Sequence, residues 1–327
     1  RARVSESDPG ADIVGSFPCT AAQERFWFLH QMQQGTAANT IAVQWELRGS
    51  FDNGSVQAAL QGVVDRHEIL RTRIVERGGR PVQEVLADVP FRLGSIDVRS
   101  LPETERAARI EQIARDVSLR PFDLAEPCGL RVTLVRFAPQ RAMLLIAAHR
   151  AVFDGFSIRV LGREVGEGIA AAEAGRTPGL PDLAIQYGDY AHWLEACRES
   201  EDFAESRAYW HARLQDMPYF ELPADRERQP LASRTGARWK TALPPDFAER
   251  LEAAARSAGT SPFGFGAAVF AAALERFTAA GDVSFATVVA GRAEPELEDM
   301  IGLFINPVVL RFRVPAEAPV ADFVDAA

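Results

Sequence analysis

Cysteine is scarce in this chain of 327 residues: Cys19, Cys128 and Cys197 are all it has, odd in number and far apart. That excludes a disulfide framework. Without a CxxC pair or a Cys/His cluster, it excludes a structural zinc site as well. The thiols read as reduced, in a cytoplasmic protein. Long apolar runs are also missing. None approaches the ~20 residues that cross a bilayer, and the opening residues lack the apolar stretch of a signal peptide. Charge of one sign gathers nowhere: the net −9 is spread along the chain, and the basic face of a nucleic-acid binder is absent. There is no Walker loop, no GxGxxG between a strand and a helix, and no ligand cluster. Neither a nucleotide nor a metal is implied.

What is present is ordinary globular material, 47% apolar and 25% charged, in a chain long enough for two domains. Residues 1–16 read as a linker. Thr20 is placed to cap a helix over 20–32. Residues 39–49 alternate as a strand, 53–70 form an amphipathic helix, and 70–86 fold as a hairpin around Gly78-Gly79. A helix over 102–119 precedes a second hairpin, 129–149, turning near Pro139. Its second strand, 143–148, is continuously apolar, as a strand covered on both faces must be. A helix over 157–175 ends at Gly175. The Pro/Gly-rich stretch 176–186 marks the expected boundary between an N-terminal lobe (17–176) and a partial C-terminal lobe (177–327). In the second half, helices are expected near 187–198, 200–214, 246–258 and 261–278, with strands near 237–243, 282–290 and 307–314. Strands, hairpins and helices together give an α/β (α+β) class. The final segment has no terminating device, which suggests a piece of a longer polypeptide.

The chemistry concentrates at the end of the apolar strand, in "HRAVFDGFS" (149–157). A histidine is the usual general base near neutral pH. An Asp-Gly pair a few residues on can bend the loop back and hold the site by a salt bridge. The plainer alternative is a satisfied core histidine followed by a simple turn.

This stretch resembles the HHxxxDG motif of the chloramphenicol-acetyltransferase-like superfamily, and within it the condensation domains of nonribosomal peptide synthetases. Further segments carry the same resemblance in the same order. "TAAQERFWFLHQ" (20–31) resembles the opening motif and "RHEILRTR" (66–73) the RHExLRTxF motif. "IQYGDYAHWLE" (185–195) resembles YxDxAxW, and "IGLFINPVVLR" (301–311) resembles IGxFVNTxxxR. The resemblance implies two acetyltransferase-like lobes in a V, with a tunnel between them and the motif turn at its centre. It implies amide formation between a donor acyl or peptidyl thioester and an acceptor aminoacyl amine. Both would ride on phosphopantetheine arms of peptidyl carrier proteins, upstream and downstream, beside an adenylation domain. No cofactor is bound directly, and no nucleic acid or membrane is involved. His149, Arg150, Asp154 and Gly155 are the implied catalytic positions. Arg25, Ser157 and Asn306 are candidates for substrate contact. Arg66, Arg71 and Arg292 are candidates to hold Asp154.

The sequence departs from the family where the second motif histidine should stand. Arg150 is there, and a guanidinium stays protonated, so it cannot accept a proton from an amine. It can donate to a developing oxyanion, or fill the tunnel. Pro307 replaces a usual Thr, and the family's last motifs are absent, which implies a truncated C-terminal lobe. Three functions follow. One is a condensation domain. A second is a catalytically silent relative that recruits a tailoring enzyme such as an oxygenase; such domains carry HRxxxD but usually a second Asp where this chain has Gly155. The third is a free-standing acyltransferase.

Overall fold

The computed structural model describes residues 12–32, 37–127, 129–225, 239–315 and 323. They fall into two compact units, one within 1–200 and 290–306, the other within 201–289 and 307–327.

The first unit is built around the apolar strand. β1 (Ile13–Pro18), α1 (Ala21–Met32), β2 (Thr40–Arg48), α2 (Asn53–Arg66), β3 (Thr72–Arg77), β4 (Arg80–Leu86) and β5 (Gly94–Asp97) lead to α3 (Glu103–Leu119), β6 (Leu130–Ala138), β7 (Arg141–His149), α4 (Ser157–Glu173) and α5 (Tyr187–Cys197). β7 is an inner strand of a four-stranded sheet ordered β2-β7-β6-β5, in which only β5 and β6 run parallel. Its side chains alternate between two cores. Leu144, Ile146 and Ala148 join Val132 and Leu134 of β6 and the apolar stripes of α2 and α4. Leu145 points the other way, to Val98, Val135 and Ile113 of α3. Burial on both faces is why the strand shows no polar alternation. Each fully buried Leu or Ile contributes about 1.5–3 kcal/mol.

A three-stranded antiparallel sheet, β1-β4-β3, forms the second layer. β1 lies mostly within the stretch read as linker, 1–16. Its side chains are exposed or half-buried, so backbone pairing with β4 defines it and no hydrophobic period marks it. β5 escaped notice because it has four residues. At the start of α1, the Thr20 hydroxyl accepts from the Gln23 backbone amide at 3.2 Å and the Gln23 side-chain Oε1 accepts from the Thr20 backbone amide at 3.0 Å, a reciprocal capping box.

The unit boundary is not at 176/177. Tyr187 of α5 is 1% exposed in the first unit's core, so the Pro/Gly stretch before it is a connector inside that unit. Met300, Ile301, Leu303 and Phe304 return to the same core. Apolar content, which the loop-like composition of 176–186 concealed, decides membership.

The second unit comprises α6 (Glu201–Leu214), α7 (Phe247–Ser257), α8 (Pro262–Thr278), β8 (Asp282–Val289) and β9 (Asn306–Arg313), whose first residue belongs to the other unit. Ser261 caps α8 by accepting from Gly264 at 3.0 Å. Ala268, Ala271 and Leu274 of α8 pack on Val283 and Val314. Arg311 grips Asp282 through Nε and Nη2 and also donates to the carbonyls after α6. Residues 239–243 form no strand; 237 and 238 of that expected element lie outside the described residues. So does Cys128. No single helix among the described residues is long and apolar enough to cross a membrane.

α2 and α4 approach closely because Gly168 faces Ala59: a Cβ on Gly168 would lie 2.8 Å from the Ala59 Cβ and 3.0 Å from its Cα. Gly168→Val is expected to lower unfolding stability by about 1–3 kcal/mol through overpacking, read by urea denaturation, with Gly166→Ala, whose Cβ meets open space, as the near-neutral control.

Candidate active site at the β7–α4 turn

His149 ends β7 opposite Thr40 of β2. It is 4% exposed. Its backbone amide donates to the Gly129 carbonyl at 2.8 Å, and Gly129 is required there: a Cβ would reach Val152 at 2.5 Å. The His149 Nδ1 accepts from the Ala151 amide at 3.1 Å. A neutral ring whose Nδ1 accepts carries its proton on Nε2. The ring stands edge-on to His30 and Phe122, with centroids 5.7 and 6.1 Å away. Burial, helped by the charges of His30 and Arg150, pushes the His149 pKa down from 6.5 to about 4. At neutral pH it is an uncharged donor at Nε2.

Arg150 follows, half-buried. Its backbone amide donates to the Asn39 carbonyl at 2.9 Å, which fixes the start of the turn. Among the described residues its guanidinium has neither a hydrogen-bond partner nor an ion-pair partner, although the group carries five donors.

Asp154 is fully buried. Its Oδ1 accepts from the Ser157 amide and hydroxyl, each at 2.8 Å, and from Arg292 Nη2 at 3.3 Å; its Oδ2 accepts from the Phe304 amide at 3.1 Å. Of the three arginines that the sequence left open, Arg292 is the partner. Arg66 instead pairs with Glu164 at 3.2 Å, and Arg71 donates to the Leu86 carbonyl. Arg292 is placed by the Leu297 and Met300 carbonyls, which accept from its Nη1, and it stacks 4.0 Å from the Phe304 ring. Burial pulls its pKa below the ordinary value, against the opposing charge of Asp154.

Ser157, a candidate for substrate contact, is fully buried. Its oxygen also accepts from the Gly302 amide at 3.1 Å and from Arg292 at 3.2 Å. The hydroxyl is consumed by the turn, so it holds structure and offers nothing to a substrate. Gly155 is exposed, has no positive φ, and has open space where a Cβ would stand; the backbone does not demand glycine there. Arg25 is exposed on α1, its guanidinium 5.6 Å from the Phe26 ring. Asn306 is exposed at the start of β9.

Three residues hold the site without having been singled out as site residues. Gln23, fully buried, donates from Nε2 to the Ala151 carbonyl at 3.2 Å. Tyr187 donates from its hydroxyl to the Leu303 carbonyl at 2.8 Å. His67, also fully buried, accepts at Nδ1 from the Ile301 amide at 3.3 Å and bonds Glu164 through Nε2 at 2.8 Å. Burial alone would raise the Glu164 carboxyl, but His67 and Arg66 outweigh it and hold it below its ordinary value. All three lie in segments carrying motif resemblance, so position in a motif was the available signal; burial was not readable.

The depressed pKa of His149 makes stability depend on pH. The unfolded chain takes up a proton near pH 6.5 and the folded chain only near 4, so stability falls as pH drops through that interval and levels off below it. At about 1.36 kcal/mol per pH unit the loss is about 3 kcal/mol. Denaturant unfolding between pH 7 and 4 should show this slope, and His149→Gln should flatten it.

The condensation-domain family model matches residues 14–327. Phosphinothricin tripeptide synthetase PhsC of Streptomyces viridochromogenes is 36% identical over 304 residues, covering 93% of this chain; the chain spans only 28% of that relative. Among solved structures, the X-domain of teicoplanin biosynthesis in its complex with OxyB superposes with a TM-score of 0.81 at 28% identity, covering 98% of this chain and 69% of that one. The first condensation domain of the calcium-dependent antibiotic synthetase, bound to a substrate analogue, shares the fold with a TM-score of 0.78 at 23% identity, covering 95% and 72%. On this ground the chain belongs to the condensation-domain family of nonribosomal peptide synthetases.

Proposed function

We propose that the chain forms an amide bond between a donor acyl or peptidyl thioester and an acceptor aminoacyl amine, each carried on the phosphopantetheine arm of a peptidyl carrier protein. The amine nitrogen bonds to the thioester carbon, the carbon–sulfur bond breaks, and the proton shed by nitrogen goes to the departing thiolate or to solvent. The observation that supports this reading is the guanidinium of Arg150, which has no partner among the described residues, beside the neutral ring of His149. Their donors suit the oxyanion that develops on the thioester carbonyl. Neither is a base. The His149 Nδ1 is occupied by the Ala151 amide, and Arg150 stays protonated. The acceptor amine must therefore arrive uncharged, and most of the rate comes from holding two tethered reactants together. Arg25 and Asn306, both exposed, are the proposed contacts for substrate or carrier arm. Asp154, Ser157 and Arg292 hold the turn.

A second reading is favoured by the same arginine: a silent domain that recruits a tailoring enzyme, as the likeness to the X-domain suggests. Gly155, where such domains usually carry a second aspartate, weighs towards amide formation.

Loaded donor and acceptor carrier proteins, followed by intact mass, separate the two. Product is expected from the unaltered protein. Its rate should climb with pH through the amine's ionisation near ~8, with no inflection near 6.5. Arg150→Met should slow it by about 10²-fold or more. Absence of product that Arg150→His restores would mean a silenced condensation site. Absence from both, together with a tight complex with a tailoring enzyme, would establish recruitment.

A further inference from the structure

A buried amide chain runs from the first sheet to the motif turn. Pro18 ends β1, and its carbonyl accepts from Gln83 Nε2 at 2.9 Å. The Gln83 side-chain oxygen accepts from Gln23 Nε2 at 2.9 Å, and the same Gln23 nitrogen donates to the Ala151 carbonyl at 3.2 Å. Gln23 is 0% exposed and Gln83 1%. The orientation of Gln23 is forced: its oxygen meets the Thr20 amide, a donor, and its nitrogen meets two acceptors. All of its hydrogen-bonding capacity except one acceptor site is used, and the low-dielectric surroundings make these bonds strong and their loss costly.

Ala151 is the residue this chain holds. It is fully buried, and its own amide is the donor that meets His149 Nδ1 at 3.1 Å. The same residue is thus gripped at its carbonyl by Gln23 while its N–H fixes the ring of His149. Arg150 lies between the two.

We infer that Gln23 is a positioning residue for the motif turn: by clamping the Ala151 carbonyl it aims the Ala151 amide at His149 Nδ1 and so keeps the His149 proton on Nε2, facing away from the turn backbone. Gln23 acts through Ala151 and touches no reacting atom. The helix cap explains only its oxygen; the nitrogen, with no part in capping, is spent on Gln83 and the turn. The tautomer claim stands apart from the proposed chemistry, whereas any effect on rate rests on that reading.

The test uses the whole chain with ¹⁵N-labelled histidine and long-range ¹H–¹⁵N correlation at pH 7, where His149 is neutral. The unaltered protein should show His149 as the Nε2–H form; the Nδ1–H form would overturn the inference before any variant is made. Gln23→Glu preserves shape and the capping oxygen; all readings on it are taken at a pH where the ¹³C shift of the new carboxyl shows it ionised, since burial raises its pKa, and there it cannot donate to the Ala151 carbonyl. His149 is expected to become a mixture of tautomers. Gln83→Met removes the neighbouring link while leaving the Gln23–Ala151 bond, and should keep the Nε2–H form although it loses stability. If Gln23→Glu folds and His149 keeps its signals, Gln23 is only a helix cap and the inference fails. It fails too if Gln83→Met scrambles the tautomer as much as Gln23→Glu does. Where amide formation is measurable, Gln23→Glu should lower kcat about tenfold and leave KM for the carriers unchanged. An absence of activity in the unaltered protein would sink the proposed reaction and leave the tautomer result intact.

Discussion

One buried carboxylate organises this site. Asp154 is fully buried from bulk solvent, and an isolated ionised carboxylate in such a place is too costly to keep. Its stability depends on four donors converging from two stretches far apart in sequence: Ser157 supplies two, Arg292 one and the Phe304 amide one. The turn after β7 and residues 292–304 are therefore fixed together, and whatever the turn presents is presented in one geometry. Close backbone approaches follow from the same constraint. At Gly302 a Cβ would lie 2.3 Å from the Tyr187 ring. At Gly291, with φ +65°, it would lie 2.0 Å from the Phe304 carbonyl oxygen. Both glycines flank the residues that close on Asp154.

With the turn so fixed, the consequences of Arg150 are chemical. Several guanidiniums of this unit have carboxylate or carbonyl partners: Arg66 with Glu164, Arg73 and Arg77 with Glu84, Arg131 with carbonyls at the end of α3. The head group of Arg150 has none among the described residues. Beside it, His149 is held neutral by burial and turned so that Nε2 carries the hydrogen. The pair offers donors and no acceptor, which suits the support of negative charge and not the removal of a proton.

Much of this was legible in the sequence, for reasons that differ by element. The uninterrupted apolar run 143–148 announced a strand covered on both faces, and β7 is covered by α2 and α4 on one side and α3 on the other. Gly78-Gly79 announced a hairpin, and both residues have positive φ. β1 was illegible because its stability lies in backbone pairing with β4 and its side chains carry no period. The boundary expected after residue 176 failed because turn-forming composition cannot tell a connector within a core from a link between two. At the site, the spacing of the motif picked out Asp154, but choosing Arg292 over Arg66 and Arg71 required three dimensions: all three are arginines near apolar segments, and only one reaches the carboxylate. The burial of Ser157 was not readable, because a hydroxyl beside a motif looks the same in sequence whether it faces a substrate or lies in a hydrogen-bond knot.

The measurement that bears most directly on this account is a double-mutant cycle in urea on Asp154→Ala and Arg292→Met. A buried pair broken from one side leaves an uncompensated charge, so each single change should cost about 3–5 kcal/mol. The double change should cost less than the sum, by about 1–3 kcal/mol of coupling. Additive losses, or an Asp154→Ala cost below about 1 kcal/mol, would contradict the claim that this carboxylate binds the turn to residues 292–304.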